Sequence, residues 1–137
     1  MSHASKELQQ RFVDEYQTKG DVAVAEEILA DDFVDRTPFG PIPGTKAGVI
    51  QLFTMLRSAF PDLRAEVHDM LVDGDKVVTR KTFHGTHEGD FMGIPPTGTE
   101  VAWDVIDIVR QRDGKLVEHW NVVDAYALMS QLGAIPG

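Results

Sequence analysis

Glu100-Val101-Ala102-Trp103-Asp104-Val105-Ile106-Asp107-Ile108-Val109-Arg110 continues across Asp113-Gly114 into Lys115-Leu116-Val117-Glu118-His119-Trp120-Asn121-Val122-Val123-Asp124. Both segments are rich in β-branched and aromatic residues and an Asp-Gly turn joins them, so they read as a β-hairpin. Its register decides which side chains share a face. A two-residue type I′ turn at Asp113-Gly114 sets Asp107 opposite Trp120 and mixes polar with apolar groups. A three-residue loop, Arg112-Asp113-Gly114 with a left-handed glycine, pairs Gln111 with Lys115 and sets Asp107 opposite His119. The second register gathers Val105, Asp107, His119 and Asn121 on one face and leaves Ile106, Ile108, Trp120 and Val122 on the other. It is preferred because it separates a polar cluster from an apolar patch. An Asp, a His and an Asn ringed by valines describe a lined pocket.

Upstream of the hairpin, Leu8, Phe12, Val13 and Tyr16 recur at helical spacing, predicting a helix from Ser5 to about Lys19 that Gly20 ends. Asp21 caps a shorter helix over Val22 to Leu29. The stretch from Asp31 to Gly44 mixes turn residues with large apolar ones and reads as a loop folded over something. Thr45 caps a third helix carrying Val49, Ile50, Phe53, Leu56 and Phe60 on one stripe, and Pro61 stops it. The period then turns extended. Leu63 to Val72 and Lys76 to His87 read as strands joined at Asp73-Gly74-Asp75, and Glu88 to Thr99 as a second Gly/Pro loop. A short helix over 125–132 closes the chain before Gly133. Helices followed by an antiparallel sheet, with the helices covering one face, is an α+β order.

The 137 residues make one domain, 1–137, large enough for a core without staples. A hydrophobic content of 42% with 26% charged residues is that of an ordinary globular protein. The absence of cysteine removes disulfides and zinc–thiolate sites and makes the cytoplasm the expected compartment. The Met1 to Lys6 start carries no apolar signal core, and no stretch is suited to span a bilayer. A net charge of −9 with scattered Lys and Arg speaks against nucleic acid and anionic membranes as partners.

Four quoted words carry a resemblance: Gly85-Thr86-His87-Glu88-Gly89, Met92-Gly93-Ile94-Pro95-Pro96-Thr97-Gly98, Asp113-Gly114-Lys115-Leu116-Val117-Glu118-His119-Trp120 and Gln131-Leu132-Gly133. In this order and spacing the chain resembles the SnoaL-like polyketide cyclase family of the nuclear-transport-factor-2-like superfamily. The resemblance implies a cone of curved sheet and helices around a deep apolar pocket. It implies ring closure by an intramolecular aldol step without metal or cofactor, with one acidic side chain on the last strand as acid/base. Carried over by position, that acid falls on Asn121, its histidine helper on Asp107, a glutamine partner on Val105, and an asparagine after the second helix on Asp35. Asn121 does not exchange protons near neutral pH, so the proton chemistry has to sit on Asp107, His119 or Asp35.

Taken with the residues, the expected site has Asp107, His119 and Asn121 as catalytic groups. Burial between Ile106 and Ile108 is expected to raise the Asp107 pKa toward that of a general base; a structural carboxylate bonded across the strands is the plain alternative. His119 is read as its proton-shuttling partner and Asn121 as an oxyanion donor. Asp35, Phe33, Phe53, Trp103, Val105, Phe91 and Met92 are read as substrate contacts, with Phe39 and Leu56 further apolar wall candidates. For Arg36 a surface salt bridge is the plain reading, and Glu118 and Asp104 should face away from the pocket. His84 and His87 flank Gly85, but strand residues three apart face opposite ways and no full ligand set accompanies them, so no metal is expected. No cofactor is expected either. The expected partners are a small hydrophobic carbonyl compound and a second copy of the chain, through the outer face of Ile106, Ile108, Trp120 and Val122. Water addition to an epoxide or lactone, or binding without turnover, are the alternatives on the same fold.

Overall fold

The computed structural model describes residues 2–136. Helix α1 (Ser2–Arg11) runs into a π-helical segment (Phe12–Thr18), and together they bury Gln9, Phe12, Val13, Tyr16 and Gln17 along one stripe. Gly20, at φ 76°, ends the segment where a Cβ is disfavoured. Asp21 caps α2 (Val22–Ile28) by accepting from the Ala23 N–H, and Thr45 caps α3 (Lys46–Ala59) by accepting from the Gly48 N–H. Between them lies β1 (Leu29–Asp35), followed by β2 (Arg64–Asp73), β3 (Lys76–Thr86), β4 (Glu100–Arg112), β5 (Lys115–Val123) and α4 (Ala125–Gln131).

The five strands form one curved sheet in the order β1-β5-β4-β3-β2. All neighbours are antiparallel except β1, which lies parallel to β5 along the sheet edge. The α+β expectation holds, with one correction: the stretch read as loop from Asp31 begins as a strand, and it makes the sheet mixed. Three aspartates in seven residues hide its β character.

A second correction concerns the hairpin. Arg112 pairs with Lys115, so the turn is the two-residue one, with Asp113 at φ 53° and Gly114 at φ 74°. Val117 is then an extra residue, because Gln111 pairs with Leu116 and Arg110 with Glu118. This bulge reverses the parity of the strand beyond it. Asp107 therefore faces Asn121 directly, and Val109 faces His119. The expected sorting of faces survives by a different route: Val105, Asp107 and Val109 point inward, while Ile106 and Val122 are exposed outside.

The inner face and the helices enclose two apolar clusters. One joins Leu56, Phe60, Phe83, Phe91, Trp103 and Leu128, and the other Phe12, Ile28, Leu29, Phe33, Val109 and Leu116. Phe53 packs against both. Gly85 allows the close approach, since a Cβ there would stand 2.9 Å from the Phe60 side chain. None of the described helices is long and apolar enough to cross a membrane.

Candidate active site

A cavity of about 440 Å³ opens between the two clusters. Its wall includes every residue expected to touch a ligand: Phe33, Asp35, Phe53, Phe91, Met92, Trp103 and Val105. Phe39 and Leu56 line it too, and so do Asp107, His119 and Asn121. The lining residues that are exposed, among them Pro38, Phe39, Met92 and Val123, mark the mouth.

Across the wall runs a row of paired charges. On β4, Asp107 has Lys81 diagonally on β3 and His119 diagonally on β5, within reach of long side chains. Lys81 Nζ stands 2.6 Å from Asp107 Oδ2 and donates to Gln17 Oε1 at 2.8 Å. His119 Nε2 lies 2.6 Å from Asp107 Oδ1, and its Nδ1 3.0 Å from Asp35 Oδ1. Asp35 reaches the imidazole because β1 lies alongside β5, with the Arg36 N–H bonded to the His119 carbonyl. Thr37 completes the row in an Asx turn. Its N–H donates to Asp35 Oδ1 at 3.0 Å, and its hydroxyl donates to Asn121 Oδ1 at 2.8 Å.

Two carboxylates, an imidazole and an ammonium thus sit together with little water, and their charges explain how. Burial pushes the Asp107 carboxyl up, but the Lys81 ammonium and the His119 bond outweigh it and hold it at about 2. The expectation of a raised pKa is corrected: it omitted Lys81. Burial disfavours the His119 cation, yet the bonds to Asp107 and Asp35 raise it to about 9. Asp35 is likewise held below its ordinary value, against burial, by His119 and Thr37. At neutral pH the row is two anions and two cations.

Lys81, Gln17 and Thr37 are missing from the sequence reading. The signal for Lys81 was available: Val77, Thr79, Lys81 and Phe83 alternate as the inner face of β3, so a lysine there needs a buried partner. His84 and His87 do point apart. His84 pairs with Glu66, whereas His87 is buried and accepts through Nδ1 from the Thr97 N–H. Arg36 forms the expected salt bridge, to Glu118, which turns outward and also meets Arg110. Asp104 likewise faces outward and accepts from Thr82.

A profile of SnoaL-like polyketide cyclases matches residues 7–132. The chain belongs to the SnoaL-like polyketide cyclase family. This SnoaL-like chain is 28% identical over 132 residues to the aklanonic acid methyl ester cyclase DnrD of Streptomyces peucetius, covering 93% of this chain and 89% of that one. Among solved structures, AclR of Streptomyces galilaeus, a proposed hydroxylase, superposes with a TM-score of 0.90 at 31% identity, over 100% of this chain and 89% of AclR. IdmH of Streptomyces antibioticus, a proposed polyketide cyclase, does so with a TM-score of 0.83 at 33% identity, over 94% of this chain and 98% of IdmH.

Proposed function

We propose that this SnoaL-like protein is a cofactor-independent acid–base enzyme acting on a small hydrophobic carbonyl compound of the polyketide kind, by enolisation leading to aldol cyclisation or isomerisation. One observation carries the reading: a charge-balanced row of Asp35, His119, Asp107 and Lys81 lines an otherwise largely apolar cavity. Asp35, rather than Asp107, takes the proton. Both Asp107 oxygens are committed, to His119 and to Lys81, whereas the bonds to Asp35 from His119 and Thr37 fall on Oδ1 and Oδ2 has no hydrogen-bond partner among the described residues. Asp107 and Lys81 hold the imidazolium in place and charged. As Asp35 accepts the proton, negative charge moves to the substrate oxygen beside His119 and the Asn121 amide. The Asn121 Oδ1 is engaged by Thr37, so its N–H₂ group faces that oxygen as donor. After the carbon–carbon bond forms, the proton returns from Asp35 to the new alkoxide.

A carboxylate held below its ordinary pKa is a weak base. The C–H it removes must therefore be acidic, as it is between two carbonyl groups, and a β-dicarbonyl chain is the matching substrate class. The test is loss of the central C–H signal of benzoylacetone in D₂O, followed by NMR against buffer alone. Acceleration by the wild type is expected, with Asp35→Asn reducing it by about 10²–10⁴ and Asn121→Ala reducing it less. An unaccelerated wild type, or full activity in Asp35→Asn, sinks the proposal.

Asn121, standing where the family resemblance puts an acid, favours a second reading: addition of water to an epoxide or lactone by the same row. AclR and DnrD are named for different reactions, and one fold can host more than one chemistry. Uptake of heavy oxygen from labelled water separates the two. We also propose that the protein works as a homodimer through the outer sheet face.

A further inference from the structure

Among the described residues, two other than glycine stand at positive φ, Met92 at 51° and Asp113 at 53°. Each opens a two-residue turn of the same kind. Asp113-Gly114 joins β4 to β5, with Gly114 at φ 74°. Met92-Gly93 is closed by Phe91 and Ile94, which exchange both backbone hydrogen bonds, with Gly93 at φ 82°. Such type I′ turns favour Asn, Asp or Gly at the first position, because a larger side chain crowds the neighbouring carbonyl there. Asp113 obeys that preference and Met92 breaks it. Packing within the chain offers Met92 little in return, since it is 57% exposed. An apolar residue disfavoured both by its backbone and by water therefore stands at the mouth of the cavity it lines.

The turn that carries Met92 is held at several points. Phe91 is buried against Phe60, with 5.4 Å between ring centroids, and Asp90 Oδ2 accepts from the Gly93 N–H. At its base the Glu88 and Gly89 N–H groups share the Ala59 carbonyl, and a Cβ on Gly89 would stand 2.2 Å from the Ser58 carbonyl oxygen. The cavity wall on this side is aromatic. Phe83 and Trp103 stack at 5.6 Å, and Phe53 and Phe91 join them in the lining. Trp103 and Val105 precede Asp107 on the inner face of β4, so this aromatic lobe adjoins the charged row. A ligand whose carbonyl meets the row places a flat ring in the lobe, with Phe91 and Met92 on its mouth side.

We infer that Met92 is a specificity-determining residue whose thioether packs on a flat conjugated ring of the bound ligand, and that its left-handed turn is strain carried for that contact. The inference rests on the reading of the cavity as a ligand site and adds a residue that reads the ligand away from the proton chemistry. The sulfur and methyl of methionine are soft, polarisable groups suited to an aromatic ring, and the unbranched side chain adapts to rings of different outline. Binding buries the group that the free protein leaves in water, so the burial gained in the complex offsets the strain of the turn.

The experiment uses the full-length protein with isotope-labelled methionine methyl groups and 2-acetylnaphthalene as the probe. The NMR signal that disappears in Met92→Leu is that of Met92, and the ring current of the bound probe should displace it in the wild type. Met92→Asn removes the strain and the thioether together. It should raise the melting temperature by about 3 °C and weaken the probe, by calorimetric titration, about three- to tenfold. Met92→Leu, which keeps the strain and the bulk, should melt as the wild type does and lose less affinity. A residue kept for the fold alone would lose stability in Met92→Asn and leave binding unchanged. A Met92 signal unmoved at saturation, a lowered melting temperature in Met92→Asn, or wild-type affinity in that variant overturns the Met92 assignment alone. No binding of the probe by the wild type overturns it together with the reading of the cavity as a ligand site.

Discussion

Asp107 and His119 shift in opposite directions, and together they set the pH range in which the fold is strongest. Asp107, held at about 2 against an ordinary 3.8, adds stability that is complete above about pH 4 and lost as the pH falls through 2. His119, raised from 6.5 to about 9, adds stability that is complete below pH 6.5 and lost as the pH rises through 9. Denaturation midpoints should therefore form a plateau between about pH 4 and 6.5. The alkaline loss is expected on the order of 3 kcal/mol, and His119→Gln should flatten that limb. A wild-type limb that is already flat would show that the imidazole is not held between two carboxylates. Lys81→Met is expected to cost about 3–5 kcal/mol by leaving Asp107 buried with one partner, and to move the acid limb to higher pH. Asp107, His119 and Asn121 were legible as a cluster because one strand alternation exposes them together. The sign of the Asp107 shift was not, because it depends on a lysine brought in from another strand.

At the scale of elements, a single residue of β5 decides which face the site occupies. Leu116 and Val117 are consecutive buried apolar residues near the start of β5, which is the mark a bulge leaves in a sequence. Counting from the turn alone puts Asp107 opposite Trp120; counting through the bulge puts it opposite Asn121. The helix starts were legible because Asp21 and Thr45 are strong caps, and β2, β3 and the hairpin because their periods are clear. β1 was not, since it pairs with β5 only at Leu29, Val34 and Asp35, and its exposed aspartates answer to Lys46 and Arg112 from distant elements. Its end nonetheless delivers Asp35. Deleting Val117 should send His119 and Asn121 outward and remove the alkaline stability limb along with most of the tertiary near-ultraviolet dichroism. A deletion variant that retains both would mean that the bulge does not set the register.

The whole molecule presents an outer sheet face that its own helices leave open. Val122 is 76% exposed, Leu71 64% and Ile106 48%, and the half-buried Ile108 and Trp120 lie between them. Such a run of large apolar groups is more than a solitary soluble domain ordinarily shows, and α4 does not fold back over it: its Gln131 is bonded to Ala102 at the start of β4. Two copies placed face to face by a two-fold axis would cover both patches with one self-complementary contact, with Trp120 from each chain near its centre. At the rim of the patch Arg80 pairs with Asp69 and Arg110 with Glu118. Trp120 is also covered on one side by the Lys76 ammonium, 5.4 Å from its ring. Trp120→Glu should therefore give a folded monomer, because the new carboxylate can pair with Lys76 while it opposes its own copy across the axis. Its alkaline stability limb should match that of the wild type, since His119 points to the other face. Sedimentation of the wild type as a monomer at micromolar concentration would leave the outer face without a partner of its own kind.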